Sequence, residues 1–232
     1  MNREEFKIKC KEKGVILQEE QLNQLETYMR CLLEWNQKMN LTAITEEEEI
    51  WEKHFYDSIM PFQGVDFISL CDVGSGAGFP GIPVKIAFPD VKLTIVEPLQ
   101  KRCRFLNEVI SQLHLSNVNI VCARAEDFAK NHRESYDVVS ARAVARLPIL
   151  LELCVPLVRK DGYMIALKGK QAMEEFEEAK QAMDVLGIVC QKQDYLDVDE
   201  ATRINFYFQK IRKTPSMYPR GYAQIKKRPI GG

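Results

Sequence analysis

Short apolar runs alternate with amphipathic helices between residues 67 and 169, and this alternation constrains the fold more than any other feature of the sequence. Each run is short, rich in aliphatic residues and bounded by polar residues or glycine, as buried strands of a parallel sheet are. The five runs cover residues 67–74, 92–97, 118–123, 136–143 and 163–169. Strands that alternate with helices predict a doubly wound, mostly parallel sheet with helices on both faces.

Two further apolar runs, 189–196 and 203–211, follow a long amphipathic helix that is expected over residues 171–186. Residues 197–200 are acidic and join these runs without an intervening helix, which predicts an antiparallel hairpin at the edge of the sheet. The expected fold class is therefore α/β, with a Rossmann-like sheet that is mostly parallel and has an antiparallel C-terminal edge hairpin.

The N-terminal part of the chain lacks this alternation and predicts helices instead. Apolar residues within 22–33 recur at the spacing of one helix face. Pro61 and Gly64 then mark a boundary. We therefore expect a small helical segment over residues 1–62, followed by an α/β domain over residues 63–232.

Basic side chains are concentrated in the last part of the chain. The whole sequence carries 32 Lys and Arg against 33 Asp and Glu, a net charge of −1. Residues 201–232 nevertheless hold eight basic side chains and no acidic one. A basic terminus on an acidic body favours a polyanionic partner, with residues 213–232 as a basic C-terminal tail. A solvated basic surface without a partner is the alternative.

Cysteine and histidine usage argues against disulfide-stabilised and metal-binding classes of protein. The seven cysteines include no C-x-x-C pair, and the three histidines are dispersed. No apolar run approaches the roughly 20 residues that a membrane span needs. We therefore expect a cytoplasmic protein with reduced thiols, no metal ion and no membrane partner.

A glycine-rich loop follows the first predicted strand and precedes a helix. Its glycines, Gly74, Gly76, Gly78 and Gly81, would let the backbone turn sharply and a ligand approach closely. The last three match the dinucleotide-binding spacing G-x-G-x-x-G. Asp72, however, ends the strand, and its carboxylate would repel a pyrophosphate. It would suit S-adenosylmethionine, which carries a sulfonium and an ammonium group and no phosphate.

The ends of the next two strands extend this candidate ligand site. Glu97 ends the second strand, where its carboxylate can accept hydrogen bonds from both hydroxyls of a ribose. The Asp-x-Gly-x-Gly-x-Gly stretch that begins at Asp72, followed by a strand that ends in Glu97, resembles the class I methyltransferase signature. This resemblance implies that Ala125 and Glu126, after the third strand, lie beside the adenine ring. The same Glu97 also lies near the position of the ribose-binding acid in dinucleotide enzymes, so both classes of cofactor stay open on spacing alone.

A series of short motifs occurs in a fixed order from residue 35 to residue 230. The motifs are Trp35-Asn36, residues 40–44, His54-x-x-Asp57-Ser58, residues 72–83, residues 140–143, residues 166–170, residues 218–220 and residues 227–230. In this order the chain resembles the RsmG (GidB) family, which methylates guanine N7 in 16S ribosomal RNA. Residues 221–224 depart from the family, which usually has a more basic stretch there.

The resemblance implies a class I methyltransferase fold that binds S-adenosyl-L-methionine and releases S-adenosyl-L-homocysteine. Together with the loop chemistry it implies a set of cofactor-binding residues, namely Asp72, Gly74, Gly76, Gly78, Phe79, Glu97, Ala125, Glu126 and Arg142. The candidates for positioning the substrate are His54, Asp57, Arg124, Arg142 and Lys168. The implied partner is 16S ribosomal RNA, in the small subunit or an assembly intermediate, and we expect a monomer.

The chemistry of the target atom limits what the protein must supply. Guanine N7 has a free lone pair and no proton, so no general base is required. Arg142 is expected to donate to a phosphate or to guanine O6, with an internal salt bridge as the alternative. His54 and Asp57, which lie three residues apart on one helix face, would act at the cofactor mouth or form a structural pair.

Three other functions stay open at the level of the sequence. A nicotinamide-dependent oxidoreductase would use the late glycine match. A non-enzymatic RNA-binding protein would keep the fold without turnover. A methyltransferase that acts on another RNA, a protein or a small molecule is the third, although the basic C-terminus disfavours the latter two substrates.

Overall fold

The computed structural model describes residues 1–198 and 201–231. Seven strands form one sheet in the order β3-β2-β1-β4-β5-β7-β6. The strands are β1 (Ser69–Val73), β2 (Lys92–Val96), β3 (Val118–Val121), β4 (Tyr136–Arg142), β5 (Val158–Lys168), β6 (Ile188–Val198) and β7 (Ala201–Lys210). Residues 199 and 200 of the predicted acidic turn lie outside the described residues.

Pairing within the sheet confirms the expected α/β fold class. Strand β1 pairs in parallel with both β2 and β4, and β2–β3 and β4–β5 are parallel as well. Strand β7 pairs antiparallel with β5 and with β6, which gives the predicted edge hairpin. Because the strand order reverses between β1 and β4, a crevice forms outside the carboxyl ends of these strands, which is where such sheets bind ligands.

Eleven α-helical elements flank the sheet within the described residues. They are α1 (Arg3–Glu12), α2 (Glu19–Met39), α3 (Glu47–Glu49), α4 (Asp57–Ile59), α5 (Gly81–Ala87), α6 (Gln100–Gln112), α7 (Ala125–Phe128), α8 (Leu147–Cys154), α9 (Ala172–Glu178), α10 (Lys180–Leu186) and α11 (Tyr222–Lys227). A π-helical stretch, Ile50–Tyr56, joins α3 to α4, and a 3-10 turn, Met60–Phe62, follows α4. The helix expected over 171–186 is divided at Ala179 into α9 and α10.

The N-terminal helices share one hydrophobic core with the sheet. Leu22 and Leu25 of α2 are fully buried in the same cluster as Leu70 of β1 and Ile82 of α5. The Tyr28 hydroxyl donates a hydrogen bond to the backbone carbonyl of Ala77 in the glycine loop. Residues 1–62 therefore support the loop from one face of the sheet.

The C-terminal basic segment is folded rather than a solvated tail. Ile225 and Ile230 are buried against α8 and its neighbours, and Arg220 forms an ion pair of 2.6 Å with the fully buried Glu152. Lys210 is also fully buried, 3.1 Å from Glu134. This corrects the interpretation of the C-terminal charges as one surface for a polyanion, because some of them stabilise the fold.

No helix within residues 1–198 and 201–231 has both the length and the apolar character that crossing a bilayer requires.

We predict that Arg220→Met destabilises the protein by about 3–5 kcal/mol, because it leaves the buried Glu152 carboxylate without its ion pair. Urea unfolding followed by circular dichroism measures this change. The matched control is Arg146→Met, which removes an exposed pair with Glu178 and should cost less than about 1 kcal/mol. Equal effects of the two substitutions would show that the Arg220–Glu152 pair does not anchor the C-terminal segment.

Candidate functional site

The carboxylate of Asp72 holds the glycine loop in place at the end of β1. It accepts hydrogen bonds from the Ser75 hydroxyl (2.5 Å), the Gly81 backbone N–H (2.9 Å) and the Ser140 hydroxyl on β4 (3.1 Å). The side chain is fully buried. Burial raises the pKa of Asp72 to about 6, against the opposing effect of these three hydrogen bonds.

This arrangement changes the expected role of Asp72. Because its carboxylate binds the N–H of Gly81, it occupies the N-terminus of α5, where a dinucleotide enzyme would bind pyrophosphate. The residue does not line either of the clefts described below. Asp72 therefore shapes the loop, and its direct contact with a cationic ligand stays a prediction.

A cleft of about 340 Å³ lies at the carboxyl ends of β1, β2 and β3, and we call it the donor cleft. It brings together five residues that the sequence singled out, Gly74, Glu97, Arg124, Ala125 and Glu126. Its other lining residues were not predicted: Val73, Val96, Pro98, Leu99, Arg102, Ala143, Val144, Leu153 and Tyr222. Tyr222 comes from the divergent 221–224 stretch and lies under the guanidinium of Arg124, which is 5.9 Å from the ring centre.

Glu97 is the buried acid of the donor cleft. Its Oε2 accepts a hydrogen bond from the Gly76 N–H and its Oε1 accepts one from the Leu99 N–H, both at 3.0 Å. The Arg102 guanidinium lies 3.7 Å away. Each carboxylate oxygen keeps a further lone pair, so Glu97 can still accept hydrogen bonds from a ligand hydroxyl. Gly76 thus acts through Glu97 rather than by lining the cleft itself.

Gly78 and Phe79 turn away from the donor cleft toward the N-terminal helices. The Phe79 ring stacks on His54 at 4.3 Å and lies 4.8 Å from the Arg142 guanidinium. Gly78 has a φ of 102°, and a Cβ added there would lie 2.6 Å from the Tyr28 hydroxyl. Both residues thus hold the loop against the N-terminal helices, and their direct contact with a cofactor stays a prediction.

A second and larger cleft, of about 780 Å³, lies beside the donor cleft, and we call it the acceptor cleft. It brings together four of the five residues predicted to position a substrate, His54, Asp57, Arg142 and Lys168, whereas the fifth, Arg124, lies in the donor cleft. Sequence reasoning missed its other lining residues, which are Ile44, Lys53, Ala143, Val144, Ala145, Leu167, Gly169, Lys170, Gln171, Glu175 and Arg203.

Arg142 is held by an internal salt bridge. Its Nη1 lies 3.0 Å from Asp57 Oδ2 and donates to the Lys53 carbonyl at 3.3 Å, while its Nη2 donates to His54 Nδ1 at 3.4 Å. The structure thus favours the salt-bridge alternative over a free arginine that reaches for phosphate or guanine O6. Arg142 lines the acceptor cleft, and its contact with a cofactor stays a prediction.

Lys168 is also paired within the protein. Its ammonium group lies 2.5 Å from the Glu175 carboxylate and donates to the Ala145 carbonyl at 2.8 Å. Only 8% of the residue is exposed. The side chain thus connects α9 to the loop after β4, and the part of Lys168 in positioning a substrate stays a prediction.

His54 is a neutral, hydrogen-bonded ring in the wall of the acceptor cleft. Burial, together with the nearby Arg142 charge, lowers the pKa of His54 to about 3. Because Nδ1 accepts from Arg142, Nε2 carries the proton and donates to the Thr42 hydroxyl at 2.9 Å. The Thr42 hydroxyl oxygen also accepts from the Ile44 N–H, so His54 fixes the segment that leads into the cleft.

The two clefts share a thin wall formed by Ala143 and Val144, directly after β4. Ala143 has a φ of 56°, a left-handed conformation that is costly for a residue with a Cβ and is often kept at functional sites. Val144 packs on Gly74, where an added Cβ would lie 2.7 Å from Val144 Cγ2. Ligands in the two clefts would therefore approach each other at Ala143 and Val144.

Comparisons with known proteins agree on one family. The family described as GidB, rRNA small subunit methyltransferase G, matches residues 21–201. The chain is 50% identical over 238 residues to "Ribosomal RNA small subunit methyltransferase G" of Lysinibacillus sphaericus. The aligned region covers 99% of this chain and 100% of that protein. It is 49% identical over 239 residues to the protein of the same name from Bacillus pumilus, with full coverage of both chains.

Solved structures with low sequence identity share the fold. M. jannaschii TYW2 in complex with AdoMet superposes with a TM-score of 0.58 at 15% identity, over 73% of this chain and 80% of that one. TrmN from Thermus thermophilus superposes with a TM-score of 0.54 at 14% identity, over 69% of this chain and 53% of that one. These similarities support the class I methyltransferase fold of the sheet.

We predict that the neutral state of His54 makes stability depend on pH. The pKa of the ring is lowered on folding, so the unfolded chain binds more protons between about pH 6.5 and pH 3, and stability falls as the pH falls through this window. At pH 5 the loss is about 2 kcal/mol relative to pH 7.5. The difference in unfolding free energy between the wild type and His54→Gln measures it, and a difference that does not change with pH would contradict it.

Proposed function

The chain belongs to the GidB family of small-subunit ribosomal RNA methyltransferases, and from this premise we propose that it methylates N7 of a guanine in 16S ribosomal RNA. The methyl donor is S-adenosyl-L-methionine, and the target is the loop of the decoding region. The observation that carries the proposal is the pair of clefts that meet at Ala143 and Val144, one suited to a nucleoside and one large enough for a base.

The residues of the donor cleft fit S-adenosylmethionine. Glu97 would bind the ribose hydroxyls through the lone pairs that its two backbone hydrogen bonds leave open. Ala125 and Glu126, at the start of α7, would border the adenine ring. A ligand without phosphate suits this cleft, because the N-terminus of α5 is already bound by Asp72.

S-adenosylmethionine supplies a methyl group on a positively charged sulfur. The task of the protein is to hold the accepting atom in line with that group, since alignment at short distance lowers the barrier of a displacement. Ala143, in its left-handed conformation, and Val144 would lie between the two ligands, since both residues line both clefts. Val144 also packs on Gly74 of the glycine loop, so this contact fixes the position of the shared wall relative to the loop.

The acceptor cleft matches a nucleophile that loses no proton. Both ring nitrogens of His54 are hydrogen-bonded, to Arg142 and to Thr42, so this ring is not placed to remove a proton. Guanine N7 needs no such base. Methylation makes the base positive, and an unpaired arginine beside it would repel that charge. The ion pair with Asp57 compensates the charge of Arg142 and so reduces this repulsion.

Exposed cations of the C-terminal segment supply contacts to RNA phosphates. Lys213, Lys226, Lys227 and Arg228 are exposed, whereas Lys210 is buried in the fold. Phosphate contacts of this kind position an RNA without reading its sequence. We propose the small subunit or an assembly intermediate as the substrate and a monomer as the active form.

We predict that Glu97→Gln weakens the binding of S-adenosyl-L-homocysteine by about 10- to 100-fold, because the charge-assisted hydrogen bonds to the ribose are lost. Isothermal titration calorimetry measures the affinity. Glu108→Gln, on the exposed side of α6, is the matched control and should bind as the wild type does. Unchanged affinity of Glu97→Gln would show that this carboxylate does not hold the ribose.

The function itself is tested by methyl transfer to small subunits from cells that lack the protein. We expect incorporation of a labelled methyl group at one guanine, and chain cleavage there after borohydride and aniline treatment, which is specific for N7-methylguanine. A methyl group on another atom or nucleotide would contradict the N7 assignment while leaving the RNA methyltransferase activity in place. Absence of incorporation would contradict both.

A further inference from the structure

We propose that Asp57 and Arg203 together read the O6 and N1–H edge of the target guanine. This inference rests on the proposed function and names residues that would give it base specificity. Asp57 belongs to α4 and Arg203 to β7, so the pair joins the N-terminal helices to the C-terminal hairpin across the floor of the acceptor cleft.

The inference starts from two polar atoms without hydrogen-bond partners. Asp57 is only 2% exposed, and its Oδ2 is bound by Arg142, yet its Oδ1 accepts no hydrogen bond. The Nε of Arg203 is also buried and donates none. Buried polar groups almost always have partners, because an unpartnered group loses its hydrogen bonds to water without replacing them. Two such atoms on residues that line one cleft point to a ligand.

The separation of the two atoms supports this interpretation. Asp57 Oδ1 and Arg203 Nε form an ion pair at 3.7 Å, which is too long for a hydrogen bond, so Oδ1 can still accept one and Nε can still donate one. A donor and an acceptor that lie side by side in this way can bind an acceptor and a donor on neighbouring atoms of one base. Because Arg142 fixes the other carboxylate oxygen, Oδ1 is held toward Arg203.

The chemistry of the pair complements guanine and mismatches adenine. Guanine presents an acceptor, O6, next to a donor, N1–H, so the Arg203 N–H can donate to O6 while Asp57 Oδ1 accepts from N1–H. Adenine presents an amino donor and a ring acceptor at the same positions, so each contact would join two donors or two acceptors. The pair therefore discriminates between the two purines and leaves N7 free for methylation.

The same contact favours the transition state over the bound substrate. Methylation at N7 places positive charge on the ring and makes N1–H a stronger donor. The hydrogen bond to Asp57 strengthens as this charge develops, and interactions that strengthen in the transition state raise the turnover rate. Loss of the contact should therefore lower kcat and not only raise KM.

Three other residues with such buried atoms do not compete for this role. Arg3 Nε, Ser58 Oγ and both polar atoms of the Asn205 side chain also lack hydrogen-bond partners, but none of these residues lines the acceptor cleft. Arg203 is partly exposed, and its Nη1 lies beside Gly169, which also lines the acceptor cleft.

The experiment replaces the target guanine in reconstituted small subunits and measures methyl transfer by the wild-type protein. Inosine keeps both O6 and N1–H, so its kcat/KM should stay within a few-fold of that of guanine. 1-Methylguanosine lacks the N1–H, so its kcat/KM should fall by about 10- to 100-fold. Equal rates on guanine and 1-methylguanosine would overturn the inference. Loss of activity on inosine would also overturn it, since it would move the contact to the N2 amino group.

Variants test the two side chains on the natural substrate. Arg203→Gln should lower kcat/KM by about 10- to 100-fold and leave the affinity for S-adenosyl-L-homocysteine unchanged, with partial recovery in Arg203→Lys. Asp57→Asn should lower kcat more than it raises KM. The control is Arg159→Gln, which removes an arginine from an Asp–Arg pair at the opposite end of β5.

The outcomes separate this inference from the proposed function. Full activity of Arg203→Gln would contradict the inference alone. No N7 methylation of the natural guanine by the wild type would contradict the proposed function, before any analogue or variant is compared.

Discussion

The buried carboxylate of Asp72 is the interaction on which the geometry of both clefts depends. It ties the end of β1 to Ser140 on β4 and to the Gly81 N–H at the start of α5, and so closes the glycine loop on itself. The loop then presents the Gly76 N–H to Glu97, which fixes the acid of the donor cleft. One buried side chain thus sets the shape of the loop that borders the donor cleft.

The Phe79 ring links the glycine loop to the side chains of the acceptor cleft. It lies between the glycine loop and the side chains of His54 and Arg142, and Tyr28 of α2 packs beside it at 5.4 Å. Because His54 and Arg142 also bind each other, a shift of the loop would disturb the charge network around Asp57. The N-terminal helices are therefore part of the site and not only a cover for the sheet.

The sheet could be predicted from the sequence because each strand is a local apolar run, and the residues at strand ends follow from it. Gly74, Glu97 and Glu126 accordingly line the donor cleft as expected. Side-chain partners that join different elements could not be predicted, since no helix or strand period encodes them. Lys168 at the end of β5, for example, forms an ion pair with Glu175 on the next helix.

Residues that reach the site only through strand pairing or tertiary contacts could not be predicted either. Arg203 sits in an edge-hairpin strand that looks ordinary in sequence, and only the pairing of β7 with β5 brings it to the acceptor cleft. Arg220 belongs to a basic stretch that suggests a tail, yet its partner Glu152 lies 68 residues earlier in α8. A run of like charges therefore did not indicate which members were solvent-exposed.

The most direct test of this account is a comparison of ligands for the donor cleft by calorimetry. Since Asp72 occupies the N-terminus of α5, we expect the wild-type protein to bind S-adenosyl-L-homocysteine and to give no binding heat with an oxidised or reduced nicotinamide dinucleotide. Tight binding of the dinucleotide without binding of S-adenosyl-L-homocysteine would contradict the account at its base.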